Sequence, residues 1–437
     1  MKYTITLLTS LLLTACGGGG GDTGLTPTAQ VDVVTFGATY PSVHAPMVLG
    51  RFKGGQPQFL VQAHYKFLEN GQTSPSGLNR TAPVPVKIYQ LNSDSTMIDS
   101  TLDILGAETT LSTNVPLVAD FNHDGIDDIF FPGYSDTLEL LPSVAFISRA
   151  GQSHIRVDLP YPVWAHGAVV VDANNDGHLD VVSNYGETWF NDGRGNFSFR
   201  AHTYRDVPGL WMHGSGVCAG DFNRTGRSQL VVTDQLIDAF KGPVADTVIF
   251  ELDNRGLPTA QHYLPAPILD KNSITTEVSH DVDCKVADLN SDGLPDILVF
   301  SRPWAHSGSH WTDQGVVQVL INKGNWQFVD VTSQSMNSYN TNVLVSYSSL
   351  VLDLNGDGKL DLWSGYFDFS SGKANQAFLN NGAGIFSQVN QTLINSFNAS
   401  GGMLPVKFND KWAFVFSTMN LQSGTSSLYL TTPKYTF

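Results

Sequence analysis

A nine-residue acidic motif recurs along the chain and constrains its fold more than any other feature. The motif reads D-x-N-x-D-G-x-x-D and begins at residues 120, 172, 288 and 353. Each copy leads into a short run of apolar, β-branched or aromatic residues, which is typical of a buried strand. The fold must therefore place an acidic turn directly before a strand at least four times.

The spacing of side-chain oxygens in this motif is typical of a calcium loop. Positions 1, 3, 5 and 9 supply carboxylate or amide oxygens, position 7 can supply a carbonyl, and glycine at position 6 allows a sharp turn. Position 12 is Phe131, Ser183, Val299 or Ser364. An EF-hand would need a glutamate there and a helix after it, so the EF-hand is excluded. An Asx-turn loop that binds no ion stays open as the alternative.

Three weaker copies extend the series to seven units. The copy at 221 has Thr225 and Gln229 where carboxylates are expected, and the copies at 51 and 407 keep only the apolar frame. A Gly-rich hairpin turn that begins with Asn follows three of the loops, at 191–197, 322–328 and 380–386. We predict an all-β fold, a seven-bladed β-propeller of four-stranded antiparallel blades, with calcium loops between the first and second strands of several blades.

The units resemble the FG-GAP/VCBS repeats of bacterial surface lipoproteins and integrin α-subunit propellers. The resemblance runs from about residue 30 to the end and is specific in the four acidic copies. It implies about four structural Ca²⁺ ions. The implied ligands are Asp120, Asn122, Asp124, Asp128, Asp172, Asn174, Asp176, Asp180, Asp288, Asn290, Asp292, Asp296, Asp353, Asn355, Asp357 and Asp361.

The two ends of the propeller are expected to meet. A strand-like segment, VDVVTFGATY at 31–40, precedes the first unit, and the seventh unit ends after a short tail. We predict that residues near 31–38 pair into the last blade, which would remove an open sheet edge. The alternative is that 434–437 supplies the fourth strand of that blade.

The first sixteen residues are expected to act as a secretory signal. They contain one Lys followed by an apolar run that is too short to span a bilayer. Leu13 to Cys16 resemble the bacterial lipobox, which implies lipidation of Cys16, although an ordinary signal peptide stays open. We divide the chain into a signal peptide (1–16), a Gly-rich tether (17–29) and the propeller (30–437). The resemblance favours an outer-membrane lipoprotein that faces the periplasm or the cell surface.

The formal net charge of −16 argues against nucleic acid as a partner. We expect a monomer with a lipid anchor and a glycan or protein ligand. Trp and His recur in the segments that lead into first strands and in those that follow second strands. These segments are expected on the face of the propeller opposite the calcium loops. The expected ligand-binding residues at this channel mouth are Trp164, His166, Trp211, His213, His280, Trp304 and His306.

Two function classes stay open at this stage. The first is a binding or adhesion module that recognises a glycan or a protein through the aromatic residues of the mouth. The second is a polysaccharide-active, lyase-like enzyme with its site at the same mouth, although no catalytic residue can be assigned from a motif. The alternative to both is a purely structural role, in which these Trp and His residues only fill the channel.

Two cysteines remain once Cys16 is set aside. Cys218 and Cys284 lie three and four residues before their loops, in the first strands of successive blades. The one-residue difference is expected to reverse the side-chain direction unless a bulge intervenes. A disulfide and an unbridged buried pair both stay open.

Overall fold

The computed structural model divides the chain into two units, Met1–Gln30 and Val31–Phe437. It describes residues 33–40, 43–55, 59–65, 84–111, 113, 116–134, 140–201, 214–234, 247–265, 279–305, 310–311, 316–336, 349–364, 376–389, 403–420 and 425–431. The predicted signal peptide (1–16), the predicted tether (17–29) and 434–437 lie outside the described residues. Within those ranges no helix has the length and apolar character needed to cross a bilayer.

Seven antiparallel sheets of four main strands form the second unit. Strand β1 spans Val33–Tyr40 and precedes the first blade. Blade 1 and its accessory elements are β2 (Val43–Gly50), β3 (Phe59–Tyr65), β4 (Val84–Pro85), β5 (Lys87–Leu91), β6 (Met97–Asp99), α1 (Thr101–Leu105) and β7 (Thr110–Leu111). Blade 2 is β8 (Leu117–Ala119), β9 (Asp128–Phe131), β10 (Leu141–Arg149) and β11 (Gln152–Val163). Blade 3 is β12 (Ala168–Val171), β13 (Asp180–Ser183), β14 (Thr188–Asn191) and β15 (Phe197–Arg200).

The remaining four blades repeat this plan. Blade 4 is β16 (Gly214–Gly220), β17 (Gln229–Asp234), β18 (Val248–Leu252) and β19 (Pro258–Tyr263). Blade 5 is β20 (Ser279–Ala287), β21 (Asp296–Ala305), β22 (His310–Trp311), β23 (Val316–Asn322) and β24 (Phe328–Asp330), followed by α2 (Thr332–Ser335). Blade 6 is β25 (Leu350–Leu352), β26 (Asp361–Ser364), β27 (Gln376–Asn380) and β28 (Phe386–Gln388). Blade 7 contains β29 (Met403–Phe408), β30 (Lys411–Asn420) and β31 (Thr425–Thr431).

The fourth strand of blade 7 comes from the other end of the chain. Strand β1 pairs antiparallel with β31, with Val33 opposite Thr431 and Phe36 opposite Leu428. The predicted closure by the N-terminal strand is therefore confirmed, as is the seven-bladed, four-stranded architecture.

Apolar side chains pack between blades rather than within them. Each of seven buried clusters combines residues of two neighbouring blades, including one cluster that joins blade 7 to blade 1. The second strands of blades 2, 3 and 6 are buried at every position, and the central residues of each are apolar. First strands of successive blades contact one another around the axis. The core of this unit is thus a closed ring of interfaces.

A buried asparagine at the end of the third strand connects one blade to the loop between the first and second strands of the preceding blade. In blade 3, Asn191 Nδ2 donates to the carbonyl of Phe121 in blade 2 at 2.8 Å, and to Leu179 in its own blade at 3.1 Å. Asn322 and Asn380 make the equivalent bonds in blades 5 and 6. These are the first residues of the hairpin-turn motif, so that motif contributes a contact between blades as well as a turn.

A disulfide joins the first strands of blades 4 and 5. Cys218 and Cys284 are bonded, with their Cα atoms 5.9 Å apart. Alternate residues of a strand point to opposite faces of the blade. Cys218 belongs to the cluster between blades 4 and 5, whereas the adjacent Val217 belongs to the cluster between blades 3 and 4. Neighbouring blades meet through opposite faces, so the reversed side-chain direction lets the two cysteines face each other, and of the two alternatives the structure contains the disulfide.

Candidate calcium loops and ligand-binding face

The four acidic loops share one conformation that gathers their oxygen atoms. In blade 3 the amide of Asp176 donates to both Asp172 Oδ1 and Asn174 Oδ1, at 3.1 and 3.0 Å. The amide of Gly177 donates to Asp172 Oδ2 at 2.9 Å. The same bonds recur in the loops of blades 2, 5 and 6. Side-chain oxygens at positions 1 and 3 therefore converge on one point of each loop.

The ninth residue of each loop is buried and already bonded to backbone. Asp180 is fully buried, and its two oxygens accept the amides of Ala173 at 3.0 Å and Asn191 at 2.8 Å. Burial is the largest contribution that raises the pKa of Asp180 to about 7, and it raises the pKa of Asp128 and Asp296 to about 6. Asp361 makes the equivalent bonds, and burial raises its pKa as well.

The loop of blade 4 takes the same shape with fewer carboxylates. Asp221 accepts the amides of Thr225 and Gly226, and Gln229 Oε1 accepts the amide of Phe222 at 2.8 Å. A neutral side chain at position 9 therefore preserves the backbone contact. This comparison assigns the ninth residue a structural role that does not depend on its charge.

Some of the donor atoms in the four acidic loops suit a hard cation, and others are already used in hydrogen bonds. Carboxylate and amide oxygens at positions 1, 3 and 5 are the ligand types that Ca²⁺ prefers. In the described ranges, however, no group of three or more His, Cys, Asp or Glu side chains is placed to hold a metal ion. The ninth carboxylate could contribute only in addition to its two backbone bonds.

Four aromatic side chains meet on the opposite face, between blades 2 and 3. Trp164 stacks on Tyr134, with ring centroids 5.9 Å apart, and tilts against Tyr185 at 5.5 Å. His166 lies edge-on to Trp164 at 4.6 Å and to Tyr134 at 5.0 Å. Tyr134 is buried, whereas the other three are partly exposed. We call these four residues the aromatic cluster.

The backbone beneath the aromatic cluster is held by hydrogen bonds between the two blades. The amide of Ala165 donates to the carbonyl of Gly133 at 2.9 Å, and the amide of Asn184 donates to Gly167 at 3.0 Å. Gly133 has no room for a side chain, since a Cβ would lie 2.0 Å from the carbonyl oxygen of Leu141. The segment that carries Trp164 and His166 is therefore fixed to the ends of both second strands.

Of the seven residues expected at the mouth, the structure brings Trp164 and His166 together. Trp211, His213 and His306 lie outside the described residues. For His280 and Trp304 only the backbone is described: they pair with Arg302 and Trp311 in the extension of blade 5.

Sequence reasoning missed Tyr134 and Tyr185 in the aromatic cluster. Both follow a buried second strand within three residues, after Pro-Gly in one case and Asn in the other. An aromatic residue in such a turn faces the same side of the propeller as the segments leading into first strands. That shared position is the signal that could have identified them.

The closed ring and its repeated loops define a β-propeller. A family model described as an FG-GAP-like repeat matches residues 288–364, which span the loops of blades 5 and 6. The chain is thus a seven-bladed propeller with an FG-GAP-like repeat. A comparison with curated protein sequences finds no match.

Two solved structures are similar over most of their length. One is an exo-β-1,3-galactanase from Clostridium thermocellum, with 10% identity, a TM-score of 0.35, and coverage of 91% of this chain and 96% of that one. The other is an exo-β-1,3-galactanase from Phanerochaete chrysosporium with β-1,3-galactotriose, with 11% identity, a TM-score of 0.31 and the same coverage. Similarity at this level has no bearing on the activity of this chain.

Proposed function

We propose that the protein is a binding module that recognises a glycan through the aromatic cluster between blades 2 and 3. The observation that supports this proposal is the partly exposed Trp164, which is held between two tyrosines beside an imidazole. Aromatic rings with fixed orientation stack on the apolar faces of sugars, and imidazole and phenol groups can hydrogen-bond to hydroxyls.

The site is preorganised rather than formed on binding. Its segment is bonded to both neighbouring blades, so little conformational entropy is lost when a ligand binds. Its position on connecting segments of a rigid ring is the usual place for recognition in such folds.

Glycan binding can be tested with Trp164→Ala and the control variant Trp326→Ala. Trp326 is also partly exposed but stacks on His262 at a hairpin turn on the calcium-loop face. An aromatic anchor typically contributes about 2 kcal/mol, so Trp164→Ala should bind roughly thirtyfold more weakly on a glycan array and in titrations. Trp326→Ala should bind normally.

Equal binding by wild type and folded Trp164→Ala, or no binding to any glycan in a broad panel, would overturn the proposal. Release of unsaturated uronide products during incubation would instead favour the lyase-like enzyme.

The same proposal includes structural Ca²⁺ in the four acidic loops, held by the side chains at positions 1, 3 and 5 and the carbonyl at position 7. Its support is the convergence of the oxygens at positions 1 and 3 in all four loops. Excess chelator should lower the melting temperature by at least about 3 °C, because binding energy adds to folding energy.

A matched pair of variants separates calcium from other effects of the chelator. Asp357→Asn changes position 5 of an acidic loop, and Asp221→Asn changes the loop of blade 4 that lacks two carboxylates. The shift caused by chelator should shrink in the first variant and stay at the wild-type value in the second. The same shift in all three proteins would contradict calcium in the acidic loops.

The location of the module is also proposed: a lipid on Cys16 anchors the propeller to the bacterial outer membrane through the tether. The support is the lipobox-like sequence followed by five glycines. Incorporation of labelled fatty acid should be lost in Cys16→Ser, and the wild type should fractionate with outer membranes. Labelling that persists in Cys16→Ser would exclude this anchor.

A further inference from the structure

Two histidines from neighbouring loops meet on the calcium-loop face. His123 Nε2 of blade 2 lies 3.4 Å from His178 Nδ1 of blade 3, and their ring centroids are 5.6 Å apart. His123 is exposed and His178 is partly exposed. Neither imidazole is among the donors assigned to calcium, to which His178 would contribute only its backbone carbonyl, and neither residue belongs to the aromatic cluster.

The separation of the two nitrogens matches one edge of a tetrahedral metal site. Two imidazole nitrogens that each lie about 2.05 Å from Zn²⁺ are about 3.35 Å apart. We propose that His123 and His178 bind one first-row divalent cation of the zinc class, with water completing its coordination. The bound ion would link blades 2 and 3 directly.

The pair is a product of the loop geometry. Position 4 has a positive φ in six of the seven loop copies, including 59° at His123, whose ring reaches His178 of the next blade. Arg224 shows the same direction in blade 4, since its Nε donates to the carbonyl of Gly293 in blade 5 at 2.8 Å. Position 4 of one blade therefore approaches positions 5 to 7 of the next.

The amino acids at these positions make the junction of blades 2 and 3 different from the equivalent junctions. The corresponding pairs are Asn175 with Arg227, Arg224 with Leu294 and Ser291 with Lys359, none of which contains an imidazole. Zinc-class cations prefer imidazole nitrogen, whereas Ca²⁺ prefers oxygen. The histidine pair is thus chemically distinct from the loops on either side of it.

The ring of His178 lies against Gly193 in the hairpin turn of its own blade. A Cβ on Gly193 would lie 2.4 Å from His178 Nδ1 and Cε1, so only glycine leaves room for the ring there. The amide of His178 also donates to Asp176 Oδ1 at 2.9 Å. A ligand whose position is already restricted loses less entropy when it binds a metal.

The test is a titration of the purified full-length chain with Zn²⁺, and with Co²⁺ as a spectroscopic probe, in excess Ca²⁺. Excess Ca²⁺ competes for any oxygen donors that could take up the added metal, and the comparison of histidine variants reports the imidazoles whether or not the loops bind calcium. His123→Asn introduces the residue that blade 3 has at the same position, and His178→Leu introduces the residue that blade 5 has. His262→Gln, which removes a histidine from blade 4, is the control.

The wild type and His262→Gln should bind one more equivalent of Zn²⁺ than either loop variant, or bind it at least about tenfold more tightly. Zinc should also raise the melting temperature of the wild type more than that of the loop variants. Equal affinity and stoichiometry in all four proteins would overturn the proposal. Loss in one loop variant only would also overturn it, because the site needs both imidazoles.

Discussion

The side chain of Asn191 links structure across two blades. Its amide nitrogen donates to carbonyls in blades 2 and 3, and its Oδ1 accepts the amide of Gly195 at 3.1 Å. The residue is almost fully buried, so removing its side chain leaves the carbonyls of Phe121 and Leu179 and the amide of Gly195 without this hydrogen-bond partner in the protein interior. Polar contacts of this kind connect neighbouring blades on the face that carries the acidic loops, in addition to apolar packing.

Asn191→Ala should lower the free energy of unfolding by about 3 kcal/mol, because it leaves buried carbonyl and amide groups without partners. The control is Asn196→Ala, five residues further along the same turn, where the side chain is exposed and bonds to Asp192. The control should change stability by less than about 0.5 kcal/mol. Denaturation by urea measures both, and similar losses would contradict the role of Asn191.

The buried carboxyl group of Asp283 is expected to make the free energy of unfolding depend on pH, and a single substitution can test this. It is buried in β20, where burial raises its pKa above 3.8 although Lys285 Nζ lies 2.8 Å from Oδ2. Because the folded-state pKa is the higher one, the stability that this carboxyl contributes is complete below about pH 3.8 and is lost as the pH rises through the folded-state pKa.

Asp283→Asn removes that titration. As the pH rises from about 3.5 to about 7, the unfolding free energy of the wild type should fall relative to that of the variant. This range begins near the unperturbed pKa of 3.8 and extends above it. Urea denaturation at a series of pH values provides the measurement. A difference that is independent of pH, or that moves in favour of the wild type, would contradict the raised pKa.

At the level of elements, the disulfide fixes two first strands that lie next to the axis. Its cysteines are separated by 66 residues, so the bond closes a long loop in the unfolded chain. The bridge crosses an interface between blades, where strand-to-strand hydrogen bonds do not occur. It therefore adds a covalent link exactly where the sheets do not continue into one another.

The double variant Cys218→Ala/Cys284→Ala should be less stable than the oxidised wild type by up to about 4 kcal/mol, the chain-entropy estimate for a loop of this length. Reductant should bring the wild type to the stability of the variant. Alkylation of both thiols in the native protein without reductant would show that the bond is absent.

The order of the strands could be predicted from the sequence because each copy of the repeat contains the same strands and turns in the same order. The loops at 120, 172, 288 and 353 lie between first and second strands, and the N-terminal strand completes blade 7. The partners of each side chain were harder to predict. Asn191 bonds to a residue seventy positions away, and Tyr134 meets Trp164 only because two blades are adjacent. Contacts between blades arise because the closed ring brings distant segments together, and a local sequence pattern does not predict which segments these are.

For the molecule as a whole, stability depends on closing the ring. The cluster between blades 7 and 1 has the same apolar character as the other six, and β1 covers the edge of β31. An open ring would expose both an apolar face and a strand edge. The propeller should therefore unfold cooperatively, with no blade that is stable alone.

Deletion of 31–40 should lower the melting temperature and promote aggregation, because β31 then becomes an exposed edge. A chain that begins at residue 30 should keep the stability of the full-length protein. Addition of a synthetic peptide with the sequence of 31–40 should restore part of the lost stability. Calorimetry and size-exclusion chromatography test this, and a deletion variant as stable as its control would contradict closure by β1.

The pairing of β1 with β31 also governs how the protein forms during synthesis and refolding. Val33 is synthesised early but pairs with Thr431, so the last blade is completed only when nearly the whole chain exists. Once β31 has formed, β1 of a second molecule can pair with its edge, through identical backbone bonds, before β1 of the same chain does. Concentrated refolding should thus yield exchanged dimers that persist after dilution, whereas dilute refolding should yield monomers.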